Sequence, residues 1–355
     1  MLYDIAIIGL GPAGASLARL LDSKRYRVVA FDRRDARFPE RCAKPCGGLL
    51  SPDALRALAR FNLAIPEGVI ASPQIFSVKT IDLDRHLTRH YPRFYLNVDR
   101  QRFDLWLMSL IPDSVTICPG TTVTSVNKDG DRYAIGCRTQ GHEDTVYARF
   151  VVGADGARSV AGQFLYGSRP ESLLLALQEW SSHDGQKPFF SCIFDQSNPG
   201  SYSWSLCKSG FFLFGGAYPA KDARRIFEAQ KQRLADYGIN PSDPVHREAC
   251  FVRRLHRPRD IRLGRGGVLL IGEAAGFVSP SSFEGISGAL TSAYLLSRVF
   301  NSGNARVLPR YRAKARGLRK KYALKIIKAN ILYNPLLRFF IMKSGVRSVR
   351  LAEQR

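Results

Sequence analysis

Three short apolar runs, far apart in the chain, each end in a glycine-bearing turn: 5–8 before Gly9, 150–152 before Gly153, and 267–271 before Gly272. Each run has the length of a buried strand, and the first is followed by a helix-like stretch over 15–21. A further strand is expected at 28–31. Segments 74–82 and 94–97 alternate in strand fashion, and a helix is expected from Arg100 through Leu107. Residues 115–149 break into short strands at Lys128-Asp129-Gly130-Asp131 and Gln140-Gly141-His142, as a β-meander does. Aromatic-rich strands follow at 189–194, 202–206 and 211–215, suited to an antiparallel sheet. Near the C-terminus Tyr311, Ala315, Leu318, Tyr322, Ile326, Ala329 and Tyr333 fall on one narrow helical stripe. Arg312, Arg316, Arg319, Lys320, Lys321, Lys325 and Lys328 fill the remainder. Pro335 should break this helix before an apolar patch over 336–342 that Arg338 interrupts.

The first turn reads Gly9-x-Gly11-x-x-Gly14, enclosing Pro12 and Ala13, between a strand and a helix. In that setting Gly9 permits the tight turn, Gly11 lets backbone approach a pyrophosphate, and Gly14 lets helix and strand pack closely. The second strand ends at Asp32, eighteen residues after Gly14, placed to accept from ribose hydroxyls, with Arg33 beside it. Alone this unit suits NAD as well as FAD. The other two turns, Gly153-Ala154-Asp155-Gly156-Ala157-Arg158-Ser159 and Gly272-Glu273-Ala274-Ala275-Gly276, read as strand-turn-helix junctions carrying a carboxylate. The latter is followed by Pro280 and Glu284-Gly285-Ile286. Together the three turns fit one wrapped FAD.

This triplet resembles the flavoprotein group that includes aromatic hydroxylases and geranylgeranyl reductases, over nearly the whole chain. The resemblance implies that Glu273, where the group usually has Asp, lies at the ribityl and ribose region. It also implies that the helix N-terminus at Gly285 and Ile286 faces the flavin's pyrimidine edge. Lys44-Pro45-Cys46-Gly47-Gly48-Leu49 resembles the Pro-Cys-Gly-Gly segment that geranylgeranyl reductases place near the flavin. Pro199-x-x-Tyr202-x-Trp204, followed by Gly215-Gly216, resembles their substrate-sheet motif, with Leu206-Cys207 where they carry Phe-Pro. It follows from the resemblance that Arg100, or alternatively Arg102, serves the phosphate or ribose side of FAD. Cys46, Tyr202 and Trp204 are then the catalytic candidates: a thiol beside the flavin, and two aromatics lining a long apolar pocket.

The expected fold is α/β: a discontinuous Rossmann-type FAD-binding domain (1–72, 98–165 and 255–300), an antiparallel-sheet substrate domain (73–97 and 166–254), and a basic helical C-terminal region (301–355). The net charge of +23 is concentrated, since residues 298–355 hold sixteen Lys and Arg against one acid, Glu353. A basic segment edged with aromatics predicts attraction to an anionic membrane surface. No run reaches the ~18 apolar residues of a spanning helix. Seven cysteines at irregular spacing, without a signal peptide, predict a reducing cytoplasm and peripheral placement on the inner membrane face. Beyond the isolated His86/His90 pair the six histidines show no ligand spacing, so no metal is expected, and no nucleic-acid module is recognisable.

The leading reading is an FAD-dependent reductase of carbon-carbon double bonds in an isoprenoid or other lipid. A flavin monooxygenase shares the fold, and a lipid-binding or resistance protein that retains FAD without turnover is the alternative of another class. There is no second G-x-G-x-x-G unit, which leaves transient NAD(P)H or a protein carrier as the electron donor.

Overall fold

The computed structural model describes residues 2–38, 44–168, 173–182, 189–237, 239, 243–303 and 305–351. Two sheets organise them. The first is built around β1 (Leu2–Ile8), whose four central and C-terminal apolar residues are buried from both faces, as a parallel strand under helices must be. It pairs in parallel with β2 (Val28–Phe31) on one side. In the second sheet come β3 (Leu49–Leu50), β4 (Ile75–Asp82) and β5 (Leu87–Asn97). The first sheet resumes with β6 (Thr116–Cys118), β7 (Thr121–Asp129), β8 (Arg132–Thr139) and β9 (His142–Gly153), of which β7–β9 form the expected meander. Next are β10 (Leu173–Ser182), β11 (Phe190–Phe194), β12 (Ser203–Lys208), β13 (Phe211–Tyr218) and β14 (Pro244–Arg253), all in the second sheet. The short β15 (Gly264–Arg265) and β16 (Val268–Leu270) return to the first.

The first sheet therefore runs β15-β16-β9-β1-β2-β6 with the meander attached, and the second β14-β10-β13-β12-β11-β4-β5-β3. The chain passes between the sheets four times. Leu49 and Leu50, placed by the sequence in the first domain, pair with Asn97 and Leu96 of the second sheet.

Helices α1 (Pro12–Leu20), α2 (Pro52–Arg60), α3 (Arg100–Ser109) and α4 (Val160–Tyr166) accompany the first sheet. The second sheet is covered differently on its two faces. On one, α5 (Ala223–Leu234) packs Ile226 and Phe227 against Ile81, Phe212, Phe214 and Tyr218. On the other, Val78, Phe190, Phe194, Tyr202, Leu206 and Leu213 form an aromatic-rich cluster joined by Tyr95, Trp204, Phe283 and Tyr333. Period-two alternation along each strand divides the residues this way.

The long α6 (Ile286–Phe300) leads into α7 (Val307–Lys314), α8 (Arg316–Tyr333) and α9 (Pro335–Ser344). The apolar stripe read from the wheel is turned inward: Tyr311, Ala315, Tyr322, Ile326 and Ala329 are buried against the body. Tyr311 donates to the Leu270 carbonyl and Tyr322 to that of Phe277. The patch over 336–342 is a helix of its own, opened by Asn334, whose side chain accepts from the Leu336 and Leu337 amides. Arg338 is no interruption of it but its anchor, buried and paired with Asp82 at 2.7 Å. No helix among the described residues is long and apolar enough to cross a membrane.

Candidate functional site

The three glycine turns meet. Ala154 donates to the Ile8 carbonyl (2.8 Å) and Ile271 to that of Gly153 (3.0 Å), which sets all three strand ends side by side. Gly9, at φ +91°, has no room for a side chain, since a Cβ there would stand 2.8 Å from the Ala154 carbonyl oxygen. A Cβ on Gly14 would stand 1.8 Å from the Gly9 oxygen, so helix and strand touch as the motif requires. A Cβ on Gly11 would meet nothing within 4 Å. Gly11 thus fronts open space at the head of α1, where Pro12 has no amide to satisfy and no side chain caps the first turn. This open cradle at a helix N-terminus fits a pyrophosphate, and the residues present fit FAD in that respect.

Asp155 accepts from the Val160 amide, at the start of α4, at 2.6 Å through Oδ2, while Ser159 caps that helix by accepting from the Gly162 amide. Its Oδ1 is buried with no partner, an acceptor suited to a sugar or ribityl hydroxyl, and burial raises its pKa. Gly156 (φ +79°) turns the chain there, 3.6 Å from Glu273 Oε2 measured at an added Cβ. Glu273 Oε1 accepts from the Arg253 amide at 2.9 Å and Oε2 lies 3.6 Å from Lys44, so its longer side chain reaches protein partners. The third turn does not open directly into a helix. A 3-10 turn, Gly272–Ala275, ends at Gly276 (φ +93°), which packs against Leu255 and Asp260, and only at Ile286 does α6 begin. Gly285 is its N-cap residue, and the neighbouring Glu284 accepts from the Ser287 amide at 2.7 Å.

The arginines and Asp32 read from sequence meet protein partners or solvent. Arg33 is exposed, and the inward cation is Arg34. All four lone-pair positions of Asp32 are taken: Oδ1 accepts from the amide and Nε of Arg34, and Oδ2 from the Leu10 amide and Arg34 Nη2. A ribose hydroxyl reaching Asp32 must displace or share one of these four bonds. Arg100 is directed to Asp104 at 2.9 Å and to the Cys46 sulfur, not to the open cradle. Burial favours a neutral Asp104, but Arg100 and Arg34 outweigh it and hold the carboxyl below its ordinary range. Arg102 is exposed and donates to the Gly68 carbonyl.

The Cys46 loop is fastened from the second sheet. Lys208, on the same strand face as Tyr202, Trp204 and Leu206 by its period-two spacing, is buried and donates to the Gly47 carbonyl at 2.6 Å and that of Val98 at 2.7 Å. Burial lowers its pKa to about 8. Gly48 (φ +63°) donates to Cys46 Sγ at 3.4 Å, and its missing Cβ leaves the room that Lys208 occupies. The alternation signal pointed to Lys208 as plainly as to the aromatics. Tyr202 donates to the Ser282 carbonyl at 2.8 Å and stacks on Phe283 at 5.8 Å, so its phenol is committed and burial raises its pKa well above ordinary. It positions the 279–285 loop, and no proton is released from it at neutral pH. Trp204, 5.8 Å from Tyr202, donates to Gln178 Oε1 at 3.3 Å. Among the described residues no three His, Cys, Asp or Glu side chains gather as a metal site.

Comparison with known proteins agrees with this fold. Residues 2–172 match the model of the FAD binding domain family. Protein CbrA of Escherichia coli O6:H1 (strain CFT073) is 44% identical over 347 residues, 98% of this chain and 94% of that protein. Protein CbrA of strain K12 is 43% identical, covering 98% of each. Among solved structures, a geranylgeranyl bacteriochlorophyll reductase-like protein of Thermoplasma acidophilum superposes with a TM-score of 0.78 at 16% identity, over 94% of this chain and 88% of that one. Pseudomonas aeruginosa PqsL in complex with 2-aminobenzoylacetate gives 0.70 at 18%, over 98% and 100%. A single-residue variant of Klebsiella pneumoniae HpxO complexed with FAD gives 0.69 at 17%, over 97% and 94%.

Proposed function

The chain belongs to the CbrA family and carries the FAD-binding domain of flavin-dependent oxidoreductases and monooxygenases, and from that premise we propose that it saturates carbon-carbon double bonds of an isoprenoid lipid at a membrane surface. The observation that carries the reading is the aromatic cluster on one face of the second sheet, joined to the loop that opens α6 by Tyr202. An apolar, water-poor wall of this kind suits a hydrocarbon chain and excludes most polar substrates.

When bound and reduced, FAD supplies the hydride for such a reaction. The protein's part is binding, orientation and a proton. The glycine turn of α1 would receive the pyrophosphate, and Asp155 Oδ1 would accept a hydrogen bond from a sugar or ribityl hydroxyl. Lys208 and Gly48 fix the Cys46 loop, and Cys46 carries the proton that completes the saturation. Lys208, whose ammonium is weakened by burial, stands beside the loop.

The membrane contact in this reading is the outer side of α8 and α9. Leu324 is 67% exposed, Ile327 58%, Leu336 59% and Phe340 64%, and Ile331, Leu337 and Ile341 are exposed with them. Arg319, Lys320, Lys328 and Lys343 are exposed on the same helices. Apolar insertion together with basic attraction is the two-signal arrangement of an interfacial element.

Anaerobic mixing of the reduced, FAD-loaded protein with a prenyl lipid tests the activity. Flavin absorbance should return while the lipid gains two hydrogens by mass spectrometry. Failure to reoxidise under nitrogen, with an oxygen atom appearing in product once air is admitted, would transfer the protein to the monooxygenases that share this fold.

A further inference from the structure

Away from the flavin cradle and the aromatic wall, α2, α6 and the corner between α7 and α8 surround a cleft of about 290 Å³ that opens to solvent. Ser287, Thr291 and Leu295, spaced four apart on one face of α6, contribute to its lining. Arg56 and Arg60, four apart on α2, lie along one side, and Lys314 at the end of α7 with Lys321 on α8 along the other. Asp53 is the only carboxylate among the described residues that line it. That carboxylate is already shared, since Arg56 and Lys321 both donate to it. Burial works against its charge, but Lys321 and Arg56 outweigh burial and hold it below the ordinary carboxylate range. Arg60 lies over the Tyr294 ring at 5.2 Å, and among the described residues neither Arg60 nor Lys314 pairs with a carboxylate.

Four cations facing one carboxylate repel one another, and a bound anion relieves that repulsion. Their chemistry favours phosphate: the guanidinium fork donates bidentately to its oxygens, and an ammonium adds a point charge. There is room for it, since a Cβ on Gly317 in the lining would meet nothing within 4 Å. The neighbouring surface says what carries the phosphate. Leu324, three residues beyond Lys321, is 67% exposed, and Ile327 follows it at 58%, so a chain leaving the cleft along α8 meets apolar side chains. A free phosphate has no use for them. We infer that this cleft seats the phosphodiester headgroup of an anionic phospholipid, with the acyl chains beside Leu324 and Ile327 in the bilayer. The inference rests on the membrane reading above and adds a defined headgroup site to it.

Calorimetric titration of the FAD-loaded protein with dihexanoyl phosphatidylglycerol below its micelle-forming concentration tests it, beside dihexanoyl phosphatidylcholine and inorganic phosphate. The phosphatidylglycerol should saturate a single site, at least about tenfold more tightly than either comparison compound. Arg60→Gln with Lys314→Gln should weaken it at least about tenfold, whereas Lys320→Gln with Lys328→Gln, which removes the same charge outside the cleft, should change it less than about twofold. All four side chains are exposed, so thermal midpoint and flavin content should stay those of wild type. Gly317→Leu fills the cleft without altering charge and should weaken binding as the cleft pair does. Asp53→Asn removes the competing carboxylate and should tighten binding about fivefold. Equal losses from the two charge pairs, or a folded Gly317→Leu protein that binds as wild type does, would reduce the cleft to diffuse charge and overturn the inference. Inorganic phosphate binding as tightly as the lipid overturns the lipid assignment. Vesicles containing phosphatidylglycerol in phosphatidylcholine separate the two readings. If they bind while the short-chain lipid does not, the headgroup site is lost and the membrane reading stands; if only the short-chain lipid binds, through the cleft, the site stands and the membrane reading falls.

Discussion

Gly11 and Gly14 lie three residues apart in one motif, yet substitutions there should fail in different ways. At Gly11 a side chain enters only open space, so Gly11→Val should leave thermal stability within about 0.5 kcal/mol and still abolish FAD retention. At Gly14 even a methyl collides with the Gly9 carbonyl, so Gly14→Ala should unfold the turn and show first as lost soluble protein. A Gly11→Val protein that stays yellow would mean that the pyrophosphate lies elsewhere. Lys208 offers a titration. Its folded pKa of about 8 lies below the ~10.4 of an unfolded lysine, so the native state binds its proton less firmly. The resulting penalty is fully present below about pH 8 and is relieved as pH rises toward about 10.4. Relative to Lys208→Met, wild type should therefore gain roughly 3 kcal/mol across that window in denaturant titrations at successive pH values. A flat difference would show that Lys208 keeps an ordinary pKa. Lys208→Met should also orphan the Gly47 and Val98 carbonyls and loosen the Cys46 loop.

Among elements, α9 is anchored by a buried ion pair. Asp82 and Arg338 lie 256 positions apart, and removing either leaves an uncompensated buried charge, a loss of about 3–5 kcal/mol. Arg338→Met should release α9 to limited proteolysis while the flavin cradle persists, and Asp82→Asn paired with it should recover part of the loss. This contact marks where sequence reading stops. The glycine turns were legible because their backbone demands leave few residue choices, and β4, β12 and the meander were legible through alternation and turn residues. Arg338 was not, because a lone cation in an apolar run gives no sign of a carboxylate on a distant strand. The wheel over 311–333 located a genuine stripe, but periodicity alone does not say whether a stripe meets protein or lipid. The pairing of Arg34, and not Arg33, with Asp32 was not legible, because adjacent arginines at a strand end are alike until the chain's turn is known.

For the whole molecule, the outward faces of α8 and α9 predict sedimentation with vesicles that rises with anionic lipid and falls with salt, since exposed charges are screened over about 8 Å at physiological ionic strength. Arg319, Lys320, Lys328 and Lys343 changed together to Glu should abolish it, each charge near the surface contributing about 1 kcal/mol. Lys321 and Lys325 are poor choices for that test, being engaged with Asp53 and near Glu284. Equal binding to neutral and anionic vesicles would leave the charge cluster without this role. The four passages of the chain between the sheets have a mechanical consequence. Two lobes joined by one linker can swing apart on a hinge, but lobes laced four times cannot rotate without straining every lace. Ligand entry must then come from local motion at the rim, and heat should melt both sheets as one cooperative unit, with calorimetric and van't Hoff enthalpies equal. Two resolved calorimetric peaks would show that the lacing does not couple them.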